Sequence, residues 1–115
     1  MDLVMPSKSR SYSKLTKEAL KLLGQSIKLA RKGRRMSEKD LAERVGIARS
    51  TLQKVENGDP VVDIGIVFEA AVLTGVPLFE PEATSLASHL RGVRDKLELM
   101  PTYIRKPKGE VKDDF

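Results

Sequence analysis

Cysteine and tryptophan are absent from this chain, histidine occurs once, and aromatic residues make up only 4% of its 115 positions. Without cysteine there are no disulfides, thiolate nucleophiles or thiolate metal ligands, which fits a reducing cytosol. One histidine leaves little from which to assemble a metal centre or an imidazole acid/base pair. His89 reads as a surface residue of a helix. The shortage of aromatics points to an aliphatic, helical core. Long apolar runs are missing too: "IGIVFEAAVLTGVPLF" carries Glu69 in its middle and falls short of the ~18 residues of a membrane span. The opening "LVM" is far too short for the apolar region of a signal peptide. These absences lead us to expect a cytoplasmic protein with no cofactor, no metal and no membrane partner. An enzyme is the least favoured class, because no nucleophile and base pair and no phosphate-cradling glycine loop appears. "GIARSTLQK" offers Ser and Thr without a histidine partner.

What is present is positive charge, unevenly placed. The formal net charge is +5, and residues 1 to 35 hold ten Lys and Arg against two acids. Residues 61 to 90 hold no basic residue and four acids. A basic first third favours a polyanionic partner, most simply nucleic acid, although Lys and Arg on a helix face equally serve to solvate it.

Periodicity divides the chain into helices. Residues 1 to 15 are read as a polar, basic arm. From Thr16 the apolar positions Leu20, Leu23, Ile27 and Ala30 recur at helical spacing, predicting a helix to about Lys32 that stops at Gly33. Ser37 is an expected N-cap, with Asp40 three residues on and Glu38 favourable in the first turn. Leu41, Ala42 and Val45 would face inward, and Gly46 would end this second helix. A third runs from Arg49 to Glu56 with Leu52 and Val55 inward, closed by "NGDP". A fourth follows Asp63, a suitable cap, and ends at Thr74 before Gly75 and Pro77. A last helix is expected to open at Pro81 and reach about Leu99. Its Ala83, Leu86, Leu90, Val93, Leu97 and Met100 step by three and four, a seam too short for an independent coiled coil. Residues 101 to 115 read as an extended or disordered tail.

Two short helices joined by a glycine turn, with small Ala42 at the crossing and Ile47, Leu52 and Val55 filling the angle, fit a helix-turn-helix. The stretch "MSEKDLAERVGIARSTLQKVENG" resembles the Cro/C1 repressor type of helix-turn-helix, the XRE family, over roughly Leu23 to Phe79. The resemblance implies an all-α, five-helix Cro/C1-type (lambda repressor-like) DNA-binding domain with an additional C-terminal helix and extended tail. It implies that the third helix enters the major groove, with Arg49, Ser50, Thr51 and Gln53 reading bases. Chemistry agrees with those residue types. Arg offers two hydrogen bonds to guanine O6 and N7, Gln a bidentate pair to adenine, and Thr a contact with the thymine methyl. Arg34, Arg35, Ser37, Lys39, Lys54 and Asn57 are expected near phosphates. Arg31 and Glu56 correspond to a family pair bridging the first helix to the end of the third, read as a largely buried structural ion pair. Glu38 departs from the family, where Gln is usual, and places an acid beside the proposed DNA surface unless Arg49 or Lys54 pairs with it. The loop "DPVVD" departs as well, lacking basic residues aimed at the backbone.

Outside that motif, "GDPVVDIGIVFEAAVLTGVPLF" and "LRGVRDKLELMPTYIRKPKGEVKDDF" are similar in pattern to HipB-like antitoxins. Such proteins are dimers that bind operators and a HipA-like kinase toxin and repress their own transcription. The resemblance implies a homodimer, a pseudo-palindromic operator in double-stranded DNA and a toxin partner. From the residues alone, the seam of Leu86, Leu90, Val93 and Leu97 serves equally as a cover for the core or as a dimer surface. Phe115, an aromatic behind acids at the last position, is a candidate partner anchor. A free-standing XRE repressor without a toxin, and an interaction protein that does not read DNA, are the alternative readings.

Overall fold

A computed structural model describes residues 10–79 and 85–103. It contains five helices and no strand among those residues. The chain divides into two compact units, residues 1–81 and 82–115. Helices α1 (Lys14–Gly33), α2 (Glu38–Val45), α3 (Arg49–Glu56) and α4 (Ile64–Thr74) belong to the first, and α5 (Leu86–Glu98) to the second. The fifth helix is therefore itself the C-terminal one, and none follows it among the described residues.

Helix α1 starts two residues before the apolar periodicity does, because Ser13 caps it. The Ser13 hydroxyl oxygen accepts from the Thr16 N–H at 3.2 Å, a signal carried by the cap and not by hydropathy. At its other end Gly33 remains helical, which corrects the expectation that this glycine stops the helix. The left-handed residue is Arg35, at φ 57°. Arg35 N–H donates to the Lys32 carbonyl and Met36 N–H to that of Arg31, both at 3.0 Å, the double closure of a Schellman ending. A non-glycine residue in this conformation is disfavoured by roughly 1–2 kcal/mol.

Helix α2 has a complete capping box. The Asp40 N–H donates to Ser37 Oγ at 3.0 Å, and the Ser37 N–H donates to Asp40 Oδ2 at 3.2 Å. It ends at Gly46 with φ 87°, whose N–H donates to the Ala42 carbonyl at 2.8 Å. An added Cβ at Gly46 would meet open space, so it is the backbone conformation that calls for glycine here. Ala48 then caps α3 without a side-chain acceptor.

The core is small and aliphatic: Ile27 of α1, Leu41 and Ala42 of α2, Leu52 and Val55 of α3, and Ala70 and Ala71 of α4 are buried. Around them pack half-buried Leu23, Met36, Val45, Ile47, Val62, Ile66, Val67 and Leu73. Gly24 does what no periodic reading reveals. A Cβ there would lie 2.8 Å from the Glu56 carbonyl oxygen and closer still to that of Val55, so only glycine lets α1 lie directly against the end of α3. In α4, buried Thr74 satisfies its hydroxyl within the helix by donating to the Ala70 carbonyl at 2.8 Å. Asp63 occupies the cap position of α4 as expected, but its side chain makes no capping hydrogen bond.

Helix α5 opens later than the sequence suggests. Ser85 has an extended backbone (φ −58°, ψ 153°), and its Oγ accepts from the Ser88 N–H at 3.2 Å. Helix geometry therefore does not run through Ser85 from Pro81, which together with Ala83 lies outside the described residues. Leu86, Leu90, Val93 and Leu97 are all exposed on α5.

Candidate nucleic-acid interface

Helix α3 is fixed from behind and open in front. Behind it, Arg31 of α1 holds Glu56 in a two-pronged ion pair, Nε to Oε2 at 2.8 Å and Nη2 to Oε1 at 3.0 Å. Its remaining arm, Nη1, donates to the Met36 carbonyl at 3.0 Å. Arg31 and Glu56 are only 5% and 3% exposed, so the fork is shielded from solvent screening and its geometry is restrictive. Glu56 as hydrogen-bond acceptor raises the Arg31 pKa above its ordinary value, against the desolvation that lowers it. The neighbouring Gln25 amide donates to the Glu56 carbonyl at 2.8 Å. Together with the Gly24 approach, these contacts tie the C-terminal end of α3 to α1 and to the α1–α2 turn.

In front, Arg49, Ser50, Gln53, Lys54 and Asn57 are exposed, and Thr51 is half-buried. Arg49 and Gln53 stand one turn apart and meet at a common acceptor. Glu38 Oε1 of α2 accepts from Arg49 Nε and from Gln53 Nε2, each at 3.0 Å. Those two hydrogen bonds, Gln53's first, hold the Glu38 carboxyl below the usual carboxylate range. The acid beside the basic surface is thus neutralised locally, and it holds two of the proposed base-reading side chains by one edge each. Arg49 keeps Nη1 and Nη2 for another partner, and Gln53 keeps its amide oxygen and a second N–H.

The first turn of α3 has no acidic residue and no side-chain cap. Its opening N–H groups are the kind that donate to a phosphate or base oxygen. Ser37 spends its oxygen on the α2 cap but retains an O–H donor, and Lys39 is exposed beside it. Asp40 in the same turn is held below the usual carboxylate range by the Ser37 backbone and hydroxyl. Arg35 is exposed in the α1–α2 turn. The Arg34 guanidinium lies against Gly75 at the C-terminal end of α4, where a cation is favoured by the helix dipole. Phe115 lies outside the described residues. Gly24, Gln25 and the left-handed Arg35 are the positions that reading by periodicity passes over. Gly24 is signalled only by a small residue on the core side of α1.

Residues 27–80 match the family model HTH_3, "Helix-turn-helix". The match supports an XRE-type helix-turn-helix and a DNA-binding transcriptional regulator. It spans α2, the Gly46 turn and α3 together with the last seven residues of α1 and all of α4, the elements that position the surface just described. No curated protein and no solved structure matches the chain. Among the described residues no group of acids and histidine is arranged to hold a metal ion, and no helix is long and apolar enough to cross a membrane.

Proposed function

We propose that the protein is a sequence-specific transcriptional repressor that binds double-stranded DNA as a homodimer, with α3 in the major groove. The observation that carries this reading is the shared hold of Glu38 on Arg49 and Gln53, at 3.0 Å each. It sets two base-reading side chains side by side on the open face of a helix anchored from behind. Arg49 would read guanine and Gln53 adenine, Ser50 and Thr51 would contact base edges or the thymine methyl, and Arg34, Arg35, Ser37, Lys39, Lys54 and Asn57 would position the backbone. A single short helix offers few base contacts, so two copies reading half-sites roughly 34 Å apart supply the remaining specificity.

Within this reading, the pattern of residues 58 to 79 and 90 to 115 favours an antitoxin that binds a HipA-like kinase toxin and represses its own operon, with Phe115 as an anchor. The exposed Leu86, Leu90, Val93 and Leu97 of α5 are the proposed dimer seam. Selecting bound duplexes from a randomised pool with the full chain tests the DNA reading. A symmetric motif with conserved G and A positions in each half is expected, and retention of no motif contradicts it. Co-purification with the product of an adjacent kinase-fold gene tests the antitoxin role, and its failure leaves a free-standing repressor.

A further inference from the structure

Helix α1 carries a second apolar face that the four-helix core does not use. Leu15, Leu22 and Leu29 recur every seven residues and are 75%, 69% and 74% exposed. Between them, at the alternating positions of the same seam, stand only small residues: Ala19, half-buried Ser26 and Gly33. A Cβ added at Gly33 would meet nothing within 4 Å, so the seam is open at that end, and its three leucines are exposed along it. Glu18 and Lys32 lie beside the seam in the helical sequence, whereas Gln25 on the same flank turns its amide to the Glu56 carbonyl.

We infer that this face pairs with the same face of a second copy, the two α1 helices antiparallel about a two-fold axis that crosses the seam between Leu22 and Ser26. In that register every layer sets a leucine against a small residue: Leu15 against the second copy's Gly33, Ala19 against its Leu29, Leu22 against its Ser26, and the reverse. Large knobs meet shallow holes throughout, which permits close approach of the helices. The polar border agrees with the same register. Glu18 falls opposite Lys32 of the second copy, twice across the axis. A parallel pairing would set leucine on leucine and small on small, leaving gaps at Ala19, Ser26 and Gly33. Size and charge therefore both select the antiparallel self-contact. Among the described residues Glu18 pairs only with exposed Lys14 of its own helix, at 3.9 Å. The proposal stands whether or not the chain reads DNA.

Sedimentation velocity of the full chain over a dilution series tests it. The expected result is concentration-dependent self-association that L22E weakens by about tenfold or more, with helical content unchanged because Leu22 is exposed. E18K and K32E are each expected to weaken it roughly fivefold, and the double variant E18K/K32E to restore it. L90E on α5 leaves this contact in place. A chain that is monomeric at every concentration, an association indifferent to L22E, or a double variant no better than the single ones would overturn the proposal.

Discussion

Arg31 and Glu56 are the two residues on which the placement of α3 most depends. They form a buried fork with distances of 2.8 and 3.0 Å and a third bond to the Met36 carbonyl. Removing one partner strands the other charge in a dry site, so Arg31→Ala is expected to lower unfolding free energy by about 3–5 kcal/mol. Urea denaturation checks this, and a variant as stable as the parent would contradict a buried pair. Glu38 acts at the same scale from a half-buried position. Its carboxyl, like that of Asp40, is held below the ordinary range. A carboxylate with a depressed folded-state pKa contributes stability that is complete above its unfolded value of about 4 and is lost as pH falls through the folded one. The urea midpoint should therefore fall as pH drops below about 4, with a shallower acid limb in Glu38→Gln. An equally steep limb in that variant would show that Glu38 is not among the groups responsible.

Helices reveal which parts of this design can be read from sequence. The α2 capping box, the Gly46 turn and the limits of α3 follow from local chemistry, because a Ser with an acid three residues on, or a glycine after the last apolar position, acts within a few bonds. Arg34, Arg35 and Gly24 behave differently. Gly33 looks like the end of α1, yet the left-handed turn sits at Arg35, because Arg31, pinned by Glu56, also holds the Met36 carbonyl and so helps fix where the Schellman closure falls. Gly24 is legible only once α3 is seen to cross at that level. Glu38 was recognisable as an acid out of place, but its joint hold on Arg49 and Gln53 required the angle between α2 and α3. The packing at Gly24 yields its own test. Gly24→Ala should cost about 1–3 kcal/mol, despite the higher helix propensity of alanine, because a backbone carbonyl cannot move aside as a flexible side chain can. Thermal unfolding of the variant measures it, and an increase in stability would mean that α1 and α3 are not in contact there.

For the whole molecule, the parts assemble into a division of labour. The first unit anchors one short helix from behind through Arg31, Gly24 and Gln25, and leaves its other side to Arg49, Ser50, Gln53 and Lys54. Among the described residues each unit exposes a row of leucines, Leu15, Leu22 and Leu29 on α1 and Leu86, Leu90 and Leu97 on α5. The basic first third of the chain supplies the long-range attraction to a polyanion that such a surface needs. The most direct test is fluorescence anisotropy of the full chain and of Arg49→Ala on one duplex selected from a random pool and on one scrambled duplex, across a salt series. Arg49→Ala is expected to lose roughly ten- to a hundredfold affinity for the selected duplex and little for the scrambled one. Equal binding of both duplexes by the parent, or a variant that discriminates between them as well as the parent, would contradict α3 as the reading helix.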